Sequence, residues 1–309
     1  MKRLYAILFV LVLTLGCLTA RQKTEIPADT PVQATEAPAV TEAPVVTEAP
    51  TPADAREAIS TAFRKNQAVQ SVHMDTVSDM SYTISIPEAG YAQPLTVRTE
   101  MHIDSDGAAE RSKTEGTTSS LGQSVKTLVY SERKGDTYYS YASTDNGRTW
   151  TTVTQDAAAY EKMSNPGYMM SLWQQCIKTA EASGAATVNG RETTLYTGFL
   201  SGDYLSFTSG GVGQMLEGYS ESEINAFMSG LRDMPFEVNV DSETGYIVRF
   251  RVDMSDAMTT LLKNLMEAEM QKNGTPVSVE IRNTSIITEA VYSQFDAIAP
   301  IEIPAAARH

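Results

Sequence analysis

Val72-His73-Met74-Asp75-Thr76-Val77-Ser78-Asp79-Met80-Ser81-Tyr82-Thr83-Ile84-Ser85-Ile86 is the stretch that decides the fold. Val72, Met74, Met80, Tyr82, Ile84 and Ile86 are apolar, and His73, Asp75, Asp79, Ser81, Thr83 and Ser85 between them are polar. Successive side chains of a strand point to opposite faces, so the alternation predicts one strand with a dry and a wet side. After a break at Pro87–Pro94 the pattern returns: Leu95, Val97, Met101 and Ile103 alternate with Thr96, Arg98, Glu100 and His102. The two runs predict an antiparallel hairpin.

Working outward, strands are predicted at residues 108–119, 124–133, 136–144, 148–154, 185–189, 192–200, 235–241, 246–254 and 276–288. Helical spacing appears in four places. Asp54 and Glu57 make a capping-box pattern before Ala55, Ala58, Ile59, Ala62 and Phe63. Asn165-Pro166 opens a segment with Met169, Met170, Leu172, Trp173, Cys176 and Ile177 on one side, predicted to stop near Gly184. Ser220 with Glu223 caps Ile224, Phe227, Met228 and Leu231, followed later by Ser255 before Met258, Leu261, Leu262, Leu265, Met266 and Met270. A mainly antiparallel sheet whose dry face is covered by a few amphipathic helices is an α+β architecture.

The N-terminal residues carry an address. Met1-Lys2-Arg3 precedes an apolar run from Leu4 to Gly16 that ends at Cys17. Basic residues followed by a short apolar stretch read as a secretory signal, too short for the ~20 residues of a membrane span. Thr14-Leu15-Gly16-Cys17 resembles a lipobox, with Thr14 where Leu is usual, which makes residues 1–16 a signal peptide and Cys17 the lipidation site. Cleavage after Ala20, with release of a soluble secreted protein, is the alternative. Residues 17–53 repeat Thr-Glu-Ala-Pro at Thr35–Pro38, Thr41–Pro44 and Thr47–Pro50. Few large apolar residues and frequent Pro predict a disordered, extended tether of ~3.1 Å per residue. Residues 54–304 read as one domain and 305–309 as a disordered tail.

Composition removes several classes. A formal charge of −14 excludes nucleic acid and electrostatic docking on anionic lipid. With Cys17 acylated, Cys176 has no disulfide partner and reads as a buried small hydrophobe. No G-x-S-x-G, H-E-x-x-H or P-loop is present, and no cofactor is implied. Ser143-Thr144-Asp145-Asn146-Gly147-Arg148-Thr149-Trp150 matches the Asp-box, which predicts a tight hairpin, not a glycosidase. His73 and His102 fall on the polar faces of adjacent strands and read as a solvated surface pair. A metal would need at least one more ligand there, such as Asp75 or Glu100.

The lipobox, the acidic Pro/Thr tether and the alternating strands recur with Tyr138-Tyr139-Ser140 to Trp150, Val188–Tyr196, the Asp241–Gly245 hairpin and the closing Ile301-Glu302-Ile303-Pro304. Together these resemble the bacterial lipoproteins of LolA/LppX-like fold, including Gram-positive relatives, over residues 55–304. The resemblance implies an unclosed half-barrel, a strongly curved sheet around helices. It also implies a concave apolar interior that holds lipid acyl chains in the best-known members, without catalytic apparatus. Thirteen methionines besides Met1 suit an adaptable apolar cavity. The candidate lining is Met74, Met80, Tyr82, Met101, Ile103, Trp173, Met258, Leu262, Leu265 and Met266. The resulting expectation is a non-enzymatic, monomeric extracytoplasmic lipoprotein, anchored to the cell membrane through Cys17, that binds a lipid or other apolar ligand. The rival reading is a ligand-free envelope interaction or sensory module with a filled core.

Overall fold

Among the described residues, eleven antiparallel strands form one sheet. This computed structural model describes residues 52–157, 173–202, 219–228, 230–272, 274 and 278–308. The signal, Cys17 and nearly all of the tether lie outside them, as do Met169, Met170 and Leu172. The strands are β1 (Ser71–Ile86), β2 (Tyr91–Asp106), β3 (Arg111–Ser120), β4 (Gln123–Lys134), β5 (Thr137–Ser143) and β6 (Thr151–Asp156). The second run is β7 (Ile177–Val188), β8 (Arg191–Leu200), β9 (Met234–Asp241), β10 (Ile247–Asp253) and β11 (Glu280–Ser293). Each strand lies beside its sequence neighbour except β6 and β7, which form the two edges, while β1 pairs with β11 to join the runs. The sheet is therefore unclosed.

Helices α1 (Pro52–Gln67), α2 (Glu221–Met228) and α3 (Ser255–Lys272) all contribute to the core on one face, here called the inner face. α1 packs over β7 and β10, and α3 over β11 and β9. Ile59, Phe63, Leu261 and Leu265 from the helices meet Met80, Tyr82, Val238, Phe250 and Ile286 from the sheet, each at most 3 % exposed. Burial of such side chains contributes ~1.5–3 kcal/mol each and is the main force holding helices to sheet.

Three local readings are corrected. The predicted helix to Gly184 ends at Cys176, and Ile177–Val188 is an edge strand paired with β8. Main-chain pairing there outweighs the helix propensity of its alanines and Glu181. The first helix begins at Pro52, so Asp54 lies inside its first turn and does not precede it, and Glu57 accepts from Arg64 and Thr61. The Ser255 hydroxyl is also diverted: it donates to Asp253 and accepts from the Ile286 backbone N–H at 2.9 Å, tying α3 to β11. The Ser220–Glu223 box does form, with Glu223 accepting from the Ser220 N–H at 2.7 Å.

The closing residues are ordered by contacts. Ala305–Arg308 forms a 3-10 turn in place of the expected disordered tail; His309 lies outside the described residues. Ile303 and Ala307 are buried with Tyr141 against Tyr130, Tyr139 and Trp150. Cross-strand register puts Tyr130 and Tyr141 on the face opposite the helices. The C-terminal segment is thus an outer strap.

Candidate functional site: two faces of one sheet

Register fixes which side chains share a face. Met74, Thr76, Ser78, Met80 and Tyr82 of β1 stand opposite Ile103, Met101, Thr99, Val97 and Leu95 of β2 on the inner side. The same rows continue into Thr114, Gly116, Thr118 and Ser120 of β3, then Val129, Thr127, Val125 and Gln123 of β4. Ser140 and Ala142 of β5 and Thr151 and Val153 of β6 extend them to the edge. From Ser112 to Val153 these inner positions carry no charge apart from Arg133 at the rim, whose guanidinium turns to Glu110 at 3.0 Å. Charges on β3 and β4 sit instead at the outer positions Arg111, Lys113, Glu115, Lys126, Glu132 and Lys134.

The nominated apolar residues divide within this frame. Met80, Tyr82, Met258, Leu262, Leu265 and Met266 are buried in one contiguous core, with Met74 and Trp173 partly buried against it. Met101 and Ile103 are buried as well but belong to the row that leads into β3. Beyond them Val125 and Val153 are more than half exposed, at 53 % and 56 %. The inner hydroxyls of Thr76 and Tyr82 have no hydrogen-bond partner among the described residues. Burial pushes the Tyr82 phenol well above its ordinary range. The Ser/Thr/Val face of β3–β6 was not singled out from the sequence. Its signal is the confinement of charge to alternate positions, which is visible in the strands but weak beside a Met/Leu stripe.

A separate open groove of about 840 Å³ lies between α1 and the start of β7. Arg56, Glu57, Ser60, Gln174, Gln175 and Lys178 line it together with Thr179 and Ala180.

On the outer face, β1 and β2 bring His73, Asp75, His102 and Asp104 together. His73 Nδ1 lies 2.7 Å from Asp104 Oδ1 and Nε2 lies 3.1 Å from Asp75 Oδ1. His102 Nδ1 bonds the same Asp75 oxygen. Hydrogen bonds to Asp104 and Asp75 raise the His73 pKa to about 9 against the opposing effect of burial. Burial pulls the Asp75 carboxyl upward, but its bonds from the two imidazoles outweigh this and hold it below the usual range. The expected solvated pair is thus a four-residue network, with Asp75 supplying the third donor that the sequence left open.

The Asp-box is a hairpin joining β5 to β6. Asp145 accepts from the N–H groups of Arg148 and Thr149 and from the Thr149 hydroxyl, at 2.7 to 3.0 Å. Ser143 Oγ accepts from the Gly147 N–H at 2.8 Å.

The fold defines a class: a single unclosed antiparallel sheet with helices on one side and a strap on the other. No protein-family model matches the chain, and no curated protein does. Among solved structures it is similar to the Mycobacterium tuberculosis lipoprotein LppX, at 12 % identity and TM-score 0.40, over 80 % of this chain and 97 % of that one. It is also similar to LprF from Mycobacterium bovis, at 11 % identity and TM-score 0.43, over 84 % and 99 % of the two chains. A DUF1329 family protein from Desulfovibrio piger matches at 8 % identity and TM-score 0.23, over 80 % and 95 %.

Proposed function

We propose that this chain is an extracytoplasmic lipoprotein, anchored through Cys17, that holds the acyl part of an amphiphile on the inner face of β3–β6. The observation that carries this reading is the segregation of charge. In a chain with 20 % charged residues, four successive strands keep one side free of charge except at the rim. Transfer of a hydrocarbon chain from water to such a surface contributes ~0.8 kcal/mol per CH₂ buried. A charge among these side chains would oppose that transfer at a cost of several kcal/mol. Exposed Val125 and Val153 would be the contact points, with Met101 and Ile103 as the floor beside the core. The unpartnered hydroxyls of Thr76 and Tyr82 offer polar contacts deeper in the same face.

The packed residues Met80, Tyr82, Met258, Leu262, Leu265 and Met266 then act as support, a narrower role than lining a cavity. Their close burial favours a second reading, in which the sheet is a scaffold and the chain a ligand-free envelope interaction module. Native mass spectrometry and lipid extraction of protein purified from membranes separate the two. A bound amphiphile at about one per chain is expected. Protein that carries none, and acquires none from detergent-dispersed membrane lipid, is the scaffold. Radiolabelled fatty acid incorporated at Cys17 and lost in Cys17→Ser tests the anchor.

A further inference from the structure

We propose that His73, Asp75 and His102 form a site for a zinc-type divalent transition-metal ion on the outer face of β1 and β2. Antiparallel register sets Asp75 directly opposite His102 and His73 opposite Asp104. Alternation within β1 puts His73 and Asp75 on the same side. Their three donor atoms all lie within 4.8 Å of one another. Tetrahedral ligands at ~2.1 Å from a metal are about 3.4 Å apart, so the atoms need only small side-chain shifts to reach that geometry.

Asp104 makes the arrangement more than a chance cluster. Its carboxylate accepts from His73 Nδ1, which leaves Nε2 aimed at Asp75 and fixes the ring plane. Metal-ligating histidines commonly have such a carboxylate behind the ring, where it sets the tautomer and raises ligand basicity. The two rings lie 6.2 Å apart and nearly parallel, at 26°. An ion would replace the imidazole N–H groups now directed at Asp75, and binding would release protons.

The donor set selects the metal. Two imidazole nitrogens and one carboxylate suit zinc, copper or nickel, whereas calcium and magnesium take six or more oxygens. Neighbouring charge permits a cation: Lys113 faces Asp104 and Glu115 faces His102 on β3, and these two pair with each other at 2.5 Å. Arg98, further along β2, is held by Asp79 and Glu100. The side chains are 19 % (His73), 43 % (Asp75) and 39 % (His102) exposed, so an ion can enter from solution. Three protein donors leave a coordination position for water or an exchanging ligand. The site therefore suits a labile ion, on the side of the sheet away from the proposed acyl surface.

The test uses the mature full chain, stripped with a chelator and titrated with zinc by calorimetry and thermal shift. One zinc per chain with stabilisation is expected, and no comparable response to magnesium or calcium. Asp104→Asn keeps all three donors and should weaken binding about 10–100-fold. His102→Ala should weaken it at least as much, and Glu100→Gln should leave it unchanged. Far-UV circular dichroism checks that each variant folds; should His102→Ala unfold, Asp104→Asn carries the test. Equal zinc binding by wild type and the folded His73→Ala/His102→Ala double variant overturns the proposal, as does an equal response to magnesium.

Discussion

Gly147 adopts φ +82° in the β5–β6 turn, and a Cβ added to it would sit 3.2 Å from Trp150 Cζ2. Gly147→Ala therefore meets both a left-handed backbone and an indole, and should destabilise the protein by more than about 1 kcal/mol in urea unfolding. Asp145 in the same turn is held well below the carboxylate range, by the Thr149 hydroxyl first, then the Thr149 N–H and Ser143. A depressed folded pKa contributes stability above the unfolded value of ~3.9 that is lost as pH falls through the folded one. With Trp173→Phe leaving Trp150 as the only tryptophan, its fluorescence should hold as pH falls to the ordinary Asp range and change only below it. In Asp145→Asn the change tied to this carboxyl should vanish, and an unaltered acid profile would show that another group governs the turn. This turn was legible because the side-chain hydrogen bonds of Ser143 and Asp145 that close it lie within eight consecutive residues. Ser255 was misread for the opposite reason: its partner is the backbone of Ile286, which no local pattern reveals.

At the scale of elements, legibility followed how much each segment's environment repeats its local pattern. β1 and β2 present dry and wet faces to different surroundings, so alternation predicted them and their pairing. In β7, Ala180 and Ala182 face inward across from Gly198 and Tyr196 of β8, close beneath α1. Small residues permit that approach, yet in sequence an alanine-rich run reads as helix. Gly198 shows how tight the approach is, because a Cβ there would lie 2.0 Å from the Thr179 carbonyl oxygen and 2.9 Å from the Phe236 ring. Backbone cannot yield as a flexible side chain can, so Gly198→Ala should cost about 3 kcal/mol or more by denaturant titration. A cost below about 1 kcal/mol would mean that β7 and β8 are free to separate. The strap rests on long-range partners too. Arg308 donates to Glu132 at 3.0 Å, a carboxylate only 4 % exposed that also pairs with Lys134. Removing one cation from a buried carboxylate is costly. Arg308→Ala should accordingly lower the melting temperature, and Lys126→Ala, on exposed β4 sequence, should not.

Across the whole molecule the sheet separates two chemistries. The His/Asp network and the charges of β3 and β4 other than Arg133 occupy the outer side, while the inner side is helix-packed in one half and, apart from its rim, an uncharged Ser/Thr/Val surface in the other. The architecture was readable because alternation, helix stripes and turns agree with one another. The division of the inner face was not, because it depends on which strands the helices cover, a property of pairing order that no single segment encodes. Met and Leu stripes drew attention to the packed half, whereas the open half has unremarkable side chains. Adjacent residues of β4 allow the division to be tested with one change of sequence type. Val125 lies on the inner side and Lys126 on the outer, and both are exposed. Val125→Asp and Lys126→Asp therefore add the same carboxylate to opposite faces with little effect on packing. A carboxylate against an acyl chain must lose water without a partner, at several kcal/mol. Val125→Asp should then reduce co-purified or reloaded amphiphile at least about tenfold with the melting temperature nearly unchanged, and Lys126→Asp should reduce neither. A loss in Lys126→Asp, which lowers the charge by two, as large as or larger than that in Val125→Asp, which lowers it by one, would trace the effect to net charge, and retention in both would remove β3–β6 as the binding surface.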